Sequence, residues 1–275
     1  MSTFVGEPHI PRRTFLAGLA GLGAAAGWGM CGGVAAPRAT ADLGPDMVAV
    51  AAAHRGQIPT QWGMSLPGVA TTFAASGRQI ALTLDGCDHR CDDALLATLE
   101  RNAVPAVLFL SSKWIDANPG RTERLAANPL FDIGNHGTRH VPLSVTGRSA
   151  YGIGGTRSAD EVATEVWTNH SRLAELTGTA PTWFRPGTAY YDDVALAITQ
   201  ELGQRPLGFS IDADRGAKAS AASVRSAIAH AAPGSILHAH MNHPESGTAA
   251  GVSDAITDLR ASGWEFVSLG SQSVQ

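Results

Sequence analysis

Cysteine, charge and aromatic side chains are all scarce in this 275-residue chain. Three cysteines are too few for a fold built on disulfides. Cys87 and Cys91 have C-x3-C spacing with no second pair, which argues against a structural zinc site. Charged residues make up 16%, and the net charge of −4 leaves no basic footprint for a nucleic-acid partner. No GxGxxG follows the first apolar run and no P-loop occurs anywhere, so nucleotide binding has no support. The one extended apolar stretch, Leu16 to Met30, is short and rich in Gly and Ala, which excludes a stable membrane span.

What is present points to one exported domain. An apolar content of 44% suits a single globular unit with a full core. Arg12-Arg13-Thr14-Phe15-Leu16 is a twin-arginine signature, and small-residue cleavage sites follow at Val34-Ala35-Ala36 and Ala39-Thr40-Ala41. Residues 1–41 therefore read as a signal peptide, and the mature chain as periplasmic, cell-wall or secreted. Cys31 falls within the leader. In an oxidising compartment Cys87 and Cys91 are expected to form a disulfide, with a thiolate metal pair as the alternative.

Residues 42–78 carry Pro45, Pro59 and Pro67 and read as an extended lead-in packed on the domain. From 79 onward, short apolar runs alternate with helical patterns. Strands are expected at 79–85, 106–110, 130–134, 182–184, 207–211, 235–240 and 264–269. The longest helix begins at Ser158-Ala159-Asp160-Glu161, a capping-box sequence, and Val162, Val166, Leu173 and Leu176 line its buried side. Repeated βα units predict an α/β fold, a distorted (β/α) barrel of about seven parallel strands.

The residues with chemical potential stand at the ends of these strands, where such folds keep their active sites. The first strand delivers Asp85, followed by Gly86, Cys87 and Asp88. His136 and His140, four apart after the third strand, are expected on a helical turn where both imidazoles reach one metal ion. Arg185, ahead of Pro186 and Gly187, can present a guanidinium and free N–H groups to an anion. Asp212 and Asp214 close another strand. His238 and His240, two apart, face the same side of theirs.

In order and spacing these motifs resemble the polysaccharide deacetylase family, the family 4 carbohydrate esterases, over about 79 to 269. Thr83-Leu84-Asp85-Gly86-Cys87 is similar to the family's T-F-D-D-G, which makes Asp85 the catalytic base and puts Gly86 where the family has a metal-binding Asp. His136 and His140 match H-[ST]-x-x-H, the metal pair, with Gly137 in place of the hydroxyl residue. Arg185 resembles the arginine that tethers the base, Asp214 the acid that orients that arginine, and His240 the general acid. Thr188 and Tyr190 follow as substrate contacts, with a backbone N–H near Thr188 for the oxyanion. His238 stands where the family usually has an apolar acetyl-pocket residue.

The resemblance implies a divalent ion, zinc by expectation, with Asp85 as the favoured third ligand and Asp88 or His238 as alternatives. It implies an exported hydrolase that deacetylates N-acetylated or O-acetylated glycans. A degenerate glycan-binding member and an amidase acting on a small non-sugar substrate are the competing readings. Trp114, Trp183, Tyr190 and Tyr191 are the candidate stacking aromatics, and loop 144–157 is the expected rim.

Overall fold

The computed structural model describes residues 45–275, so the signal peptide expected at 1–41 lies outside the described residues. Seven parallel strands form the main sheet: β1 (Gln79–Gly86), β2 (Ala106–Leu110), β3 (Phe131–Asn135), β4 (Trp183–Phe184), β5 (Arg205–Pro206), β6 (Ile211–Asp212) and β7 (Ile236–His240). An eighth, β8 (Glu265–Phe266), pairs with the start of β1. The spatial order is β6-β7-β1-β2-β3-β4-β5. Its two end strands are consecutive in the chain, so the sheet curls toward itself without closing by strand pairing. This is the expected distorted barrel.

Strand β1 is the central element. Its side chains alternate with the period of two that a strand imposes. Ile80, Leu82 and Leu84 face the helix layer, together with Leu108, Leu110, Leu237 and Ala239. Ala81 packs on the opposite face with Val107, Phe109 and Ile236. Thr83 and Asp85 share the parity of Ala81. Registry then sets neighbours: Asp85 lies between Phe109 of β2 and His240 of β7, and His238 lies between Thr83 and Asp212. The fold thereby converts strand parity into a polar cluster on its inner face.

The helices are α1 (Met47–His54), α2 (Asp93–Arg101), α3 (Ser112–Ala117), α4 (Pro119–Ala126), α5 (Ala159–Thr177), α6 (Asp193–Glu201), α7 (Ala221–Ala229) and α8 (Thr248–Ala261). Asp92 caps α2 by accepting the Leu95 N–H at 3.0 Å, which leaves Asp85 free of any capping duty. Ser158 caps α5 through the Glu161 N–H, while Glu161 turns to Arg139 instead of completing the box. Among the described residues no helix is long and apolar enough to cross a membrane.

The lead-in differs from expectation at its start, where α1 forms behind its cap Asp46. Beyond α1 it is extended and bridges to the barrel through Ala70, Thr72 and Phe73. The strand expected at 207–211 also differs. Leu207 bridges only to Ala70 of the lead-in and strand structure lapses over 208–210, between β5 and β6, so that the Leu207 and Gly208 carbonyls find another use in the site.

Candidate active site

Asp85, at the end of β1, is buried at the centre of the cluster. Its Oδ1 accepts from Arg185 Nη1 at 2.7 Å, and its Oδ2 accepts from His238 Nε2 at 3.1 Å. Arg185 is itself fully buried. Its Nε and Nη2 donate to the carbonyls of Leu207 and Gly208 at 3.1 and 3.0 Å, the groups freed by the break between β5 and β6. The guanidinium also lies over the Phe109 ring at 4.3 Å. Burial would raise the Asp85 pKa, but Arg185, with His136 and His238, outweighs it and holds the carboxyl well below the usual carboxylate range.

Asp214 does not orient Arg185, as the sequence suggested. It accepts from His240 Nδ1 at 2.9 Å and from the His240 backbone N–H at 2.8 Å, with Thr248 Oγ1 donating at 3.0 Å. Burial works against this carboxylate, and its bond to His240 lowers its pKa nonetheless. The Nδ1–H of His240 is thus fixed on a fully buried acid, and the ring faces the cleft.

His238 stacks on Phe209 with centroids 4.3 Å apart. Its Nδ1 lies 3.4 Å from Asp212 Oδ1. Burial opposes charge on His238, yet Asp85 and then Asp212 raise its pKa to about 9. An imidazolium therefore occupies the place expected to be an apolar acetyl pocket.

The histidine pair sits in a loop, not on a helical turn. Gly137 and His140 both have positive φ, 78° and 62°. Glu165 of α5, buried and unremarked in the sequence, holds the loop by accepting the N–H groups of Arg139 and His140 at 2.8 and 3.0 Å. The turn amides take their acceptor from a helix about 25 residues further along the chain, so no local sequence signal marks it. Gly187 completes the packing, since a Cβ there would fall 2.3 Å from the His140 carbonyl carbon.

His136 Nδ1 donates to the Arg185 carbonyl at 2.8 Å, which fixes its tautomer and leaves a lone pair on Nε2. That nitrogen lies 3.4 Å from Asp85 Oδ2 and 3.6 Å from Cys87 Sγ. His140 Nε2 is buried with no hydrogen-bond partner. Burial, and then His136, pushes the His140 pKa down to about 3, and burial lowers that of His136. Two neutral, oriented imidazoles with free lone pairs fit a divalent cation.

The expected Cys87–Cys91 disulfide is not formed. Cys87 Sγ faces His136, whereas Cys91 Sγ accepts from Arg121 at 3.3 Å. Burial, then the Asp85 carboxylate, raises the Cys87 thiol well above its ordinary value. Asp88 turns away and accepts from the Arg90 N–H at 3.0 Å.

The inner cluster opens into a cleft of about 430 Å3, lined by Asp85, Thr188, Phe209, Asp212, His238 and His240, with Met64, Tyr151 and Lys218 among the rim residues. Tyr151 and Ile153, exposed on a short hairpin within 144–157, form part of that rim. Trp114, Trp183 and Tyr191 are buried and unavailable for stacking. Tyr190 is half-buried, its ring 5.4 Å from Trp62 and 5.7 Å from Tyr151.

Residues 74–207 match the family model described as polysaccharide deacetylase. The peptidoglycan-N-acetylglucosamine deacetylase PgdA of Listeria monocytogenes is 27% identical over 198 residues, 71% of this chain and 39% of the relative. The peptidoglycan-N-acetylmuramic acid deacetylase PdaA of Bacillus subtilis is 24% identical over 201 residues, 70% of each chain. The chain thus spans well under half the length of PgdA. Among solved structures, Bacillus subtilis PdaA, a family 4 carbohydrate esterase, superposes with a TM-score of 0.62 at 20% identity, covering 83% of this chain and 89% of that one. A family 4 pseudoenzyme of Bacillus anthracis gives 0.60 at 19%, covering 71% and 65%.

Proposed function

Because this chain belongs to the polysaccharide deacetylase family, we propose that it is an exported, metal-dependent hydrolase that removes acetyl groups from N-acetylated cell-wall glycans. The observation that carries this reading is the juxtaposition of two oriented groups on adjacent strands at one cleft: Asp85 locked by Arg185, and His240 locked by Asp214.

His136 and His140 are the residues that would hold the ion. When bound, a divalent ion there supplies Lewis acidity, polarising the acyl carbonyl and lowering the pKa of a water. Asp85, held ionised, takes a proton from the water as it adds to the acyl carbon. Protonated His240 keeps Nδ1–H on Asp214 and donates from Nε2 to the departing amine, so that acetate and a free amino sugar leave. A backbone N–H near Thr188 would steady the oxyanion. Tyr190, Trp62 and Tyr151 offer aromatic surface for sugar rings.

One observation favours a second reading, a glycan-binding member without turnover: position 86 is a glycine where the family resemblance expects a ligand carboxylate. Acetate release from N-acetylated glycan oligomers and peptidoglycan fragments, with and without a chelator, separates the two. Chelator-sensitive release supports the hydrolase. Retained glycan binding without release, after zinc reloading, would leave only the second reading.

A further inference from the structure

We propose that Cys87 is the third protein ligand of the metal site, so that this chain uses a Cys-His-His set in which sulfur replaces the carboxylate absent at Gly86. The inference deepens the hydrolase reading and rests on it for the presence of an ion.

Strand parity carries the first part of the argument. Asp85 faces the inner cluster, so position 86 faces the helix layer. A Cβ built on Gly86 would lie 3.1 Å from both Leu110 Cδ2 and Trp114 Cδ1. A side chain there heads into the apolar core, away from His136. Position 87 turns back toward the cluster, and Cys87 Sγ is the atom that arrives.

Geometry carries the second part. Cys87 Sγ, a His136 nitrogen and a His140 nitrogen all lie within 4.8 Å of one another. Zinc–sulfur and zinc–nitrogen bonds of about 2.3 and 2.0–2.1 Å, opened to the tetrahedral angle, set the two donors about 3.6 Å apart. The observed Sγ to Nε2 separation is 3.6 Å. Three protein donors and one open position is the arrangement of a catalytic zinc site.

The alternatives are engaged elsewhere. Asp85, although its Oδ2 lies 3.4 Å from His136 Nε2, serves as the base and is held there by Arg185 and His238; Asp88 accepts from Arg90, and His238 Nε2 donates to Asp85. Cys91 accepts from Arg121 and is not among the donors that cluster with the histidine pair. A thiolate donor makes the site soft, selecting zinc or cobalt over magnesium and manganese.

The test is cobalt(II) loading of the purified mature chain under reducing conditions, read by absorption and metal content. One equivalent of cobalt with a sulfur-to-cobalt charge-transfer band is expected. Cys87→Ser should lose the band and weaken cobalt binding by more than the roughly 10–100-fold that a supporting partner is worth. Cys91→Ala and Asp85→Asn should keep the band. One equivalent without the band, a band that follows Cys91, cobalt lost only in Asp85→Asn, or no cobalt retained by the native chain would each overturn the assignment. Acetate release measured in parallel separates the two readings. Release without the band removes only the sulfur ligand, and the band without release removes only the hydrolase.

Discussion

Asp214 Oδ1 sits 2.9 Å from His240 Nδ1, and its Oδ2 takes the backbone N–H of the same histidine at 2.8 Å. The acid thus fixes both the ring and the main chain of His240, and leaves Arg185 to the carbonyls of Leu207 and Gly208.

Asp214→Asn should therefore lower kcat for acetate release about 100-fold or more, within the range expected for an acid–base group, with KM little changed. Steady-state kinetics on the zinc-loaded variant checks this. An equal rise in KM at constant kcat would mean that Asp214 shapes the cleft and does not position the acid.

Glu165 should act on the metal site from a distance. Glu165→Gln keeps one acceptor for the Arg139 and His140 amides and Glu165→Ala keeps none, so zinc affinity should fall modestly in the first and by about 10–100-fold in the second. Competition with a chromophoric chelator measures both. Equal affinities in all three proteins would show that the loop holds itself.

Restoring a carboxylate at position 86 should fail. Gly86→Asp sends a charge toward Leu110 and Trp114, and should destabilise the fold by more than about 2 kcal/mol in urea unfolding. A variant of native stability with tighter zinc binding would reverse this expectation and the strand-parity argument behind it.

Metal-free protein should lose stability as the solution becomes alkaline. His238 titrates at about 9 when folded, above the ordinary histidine value near 6.5. The folded state therefore binds the extra proton between those values. Its stabilisation is complete below about pH 6.5 and disappears as pH rises through about 9, a loss of up to roughly 3 kcal/mol. Denaturant midpoints across that interval should fall for the native chain and stay flatter for His238→Gln. Parallel slopes would assign the loss to other groups.

The sequence by itself determined the parallel α/β architecture, because short apolar runs alternating with helical spacing are local periods that most of the elements here keep. It also marked Asp85, His136, Arg185 and His240 as strand-end groups, because backbone position at a strand terminus is a local property. The tertiary structure alone decided their partners. Registry between β1 and β7 set Asp85 beside His240, and a pairing gap between β5 and β6 gave Arg185 its carbonyl acceptors. An oxidising compartment suggested that Cys87 would join Cys91, but the direction of a side chain leaving β1 is fixed by which face the sheet buries, and that face turns the sulfur toward His136. Glu165, 25 residues from the His140 amide it accepts, carries no local signature, since a buried turn takes its hydrogen-bond acceptor from whichever element packs against it.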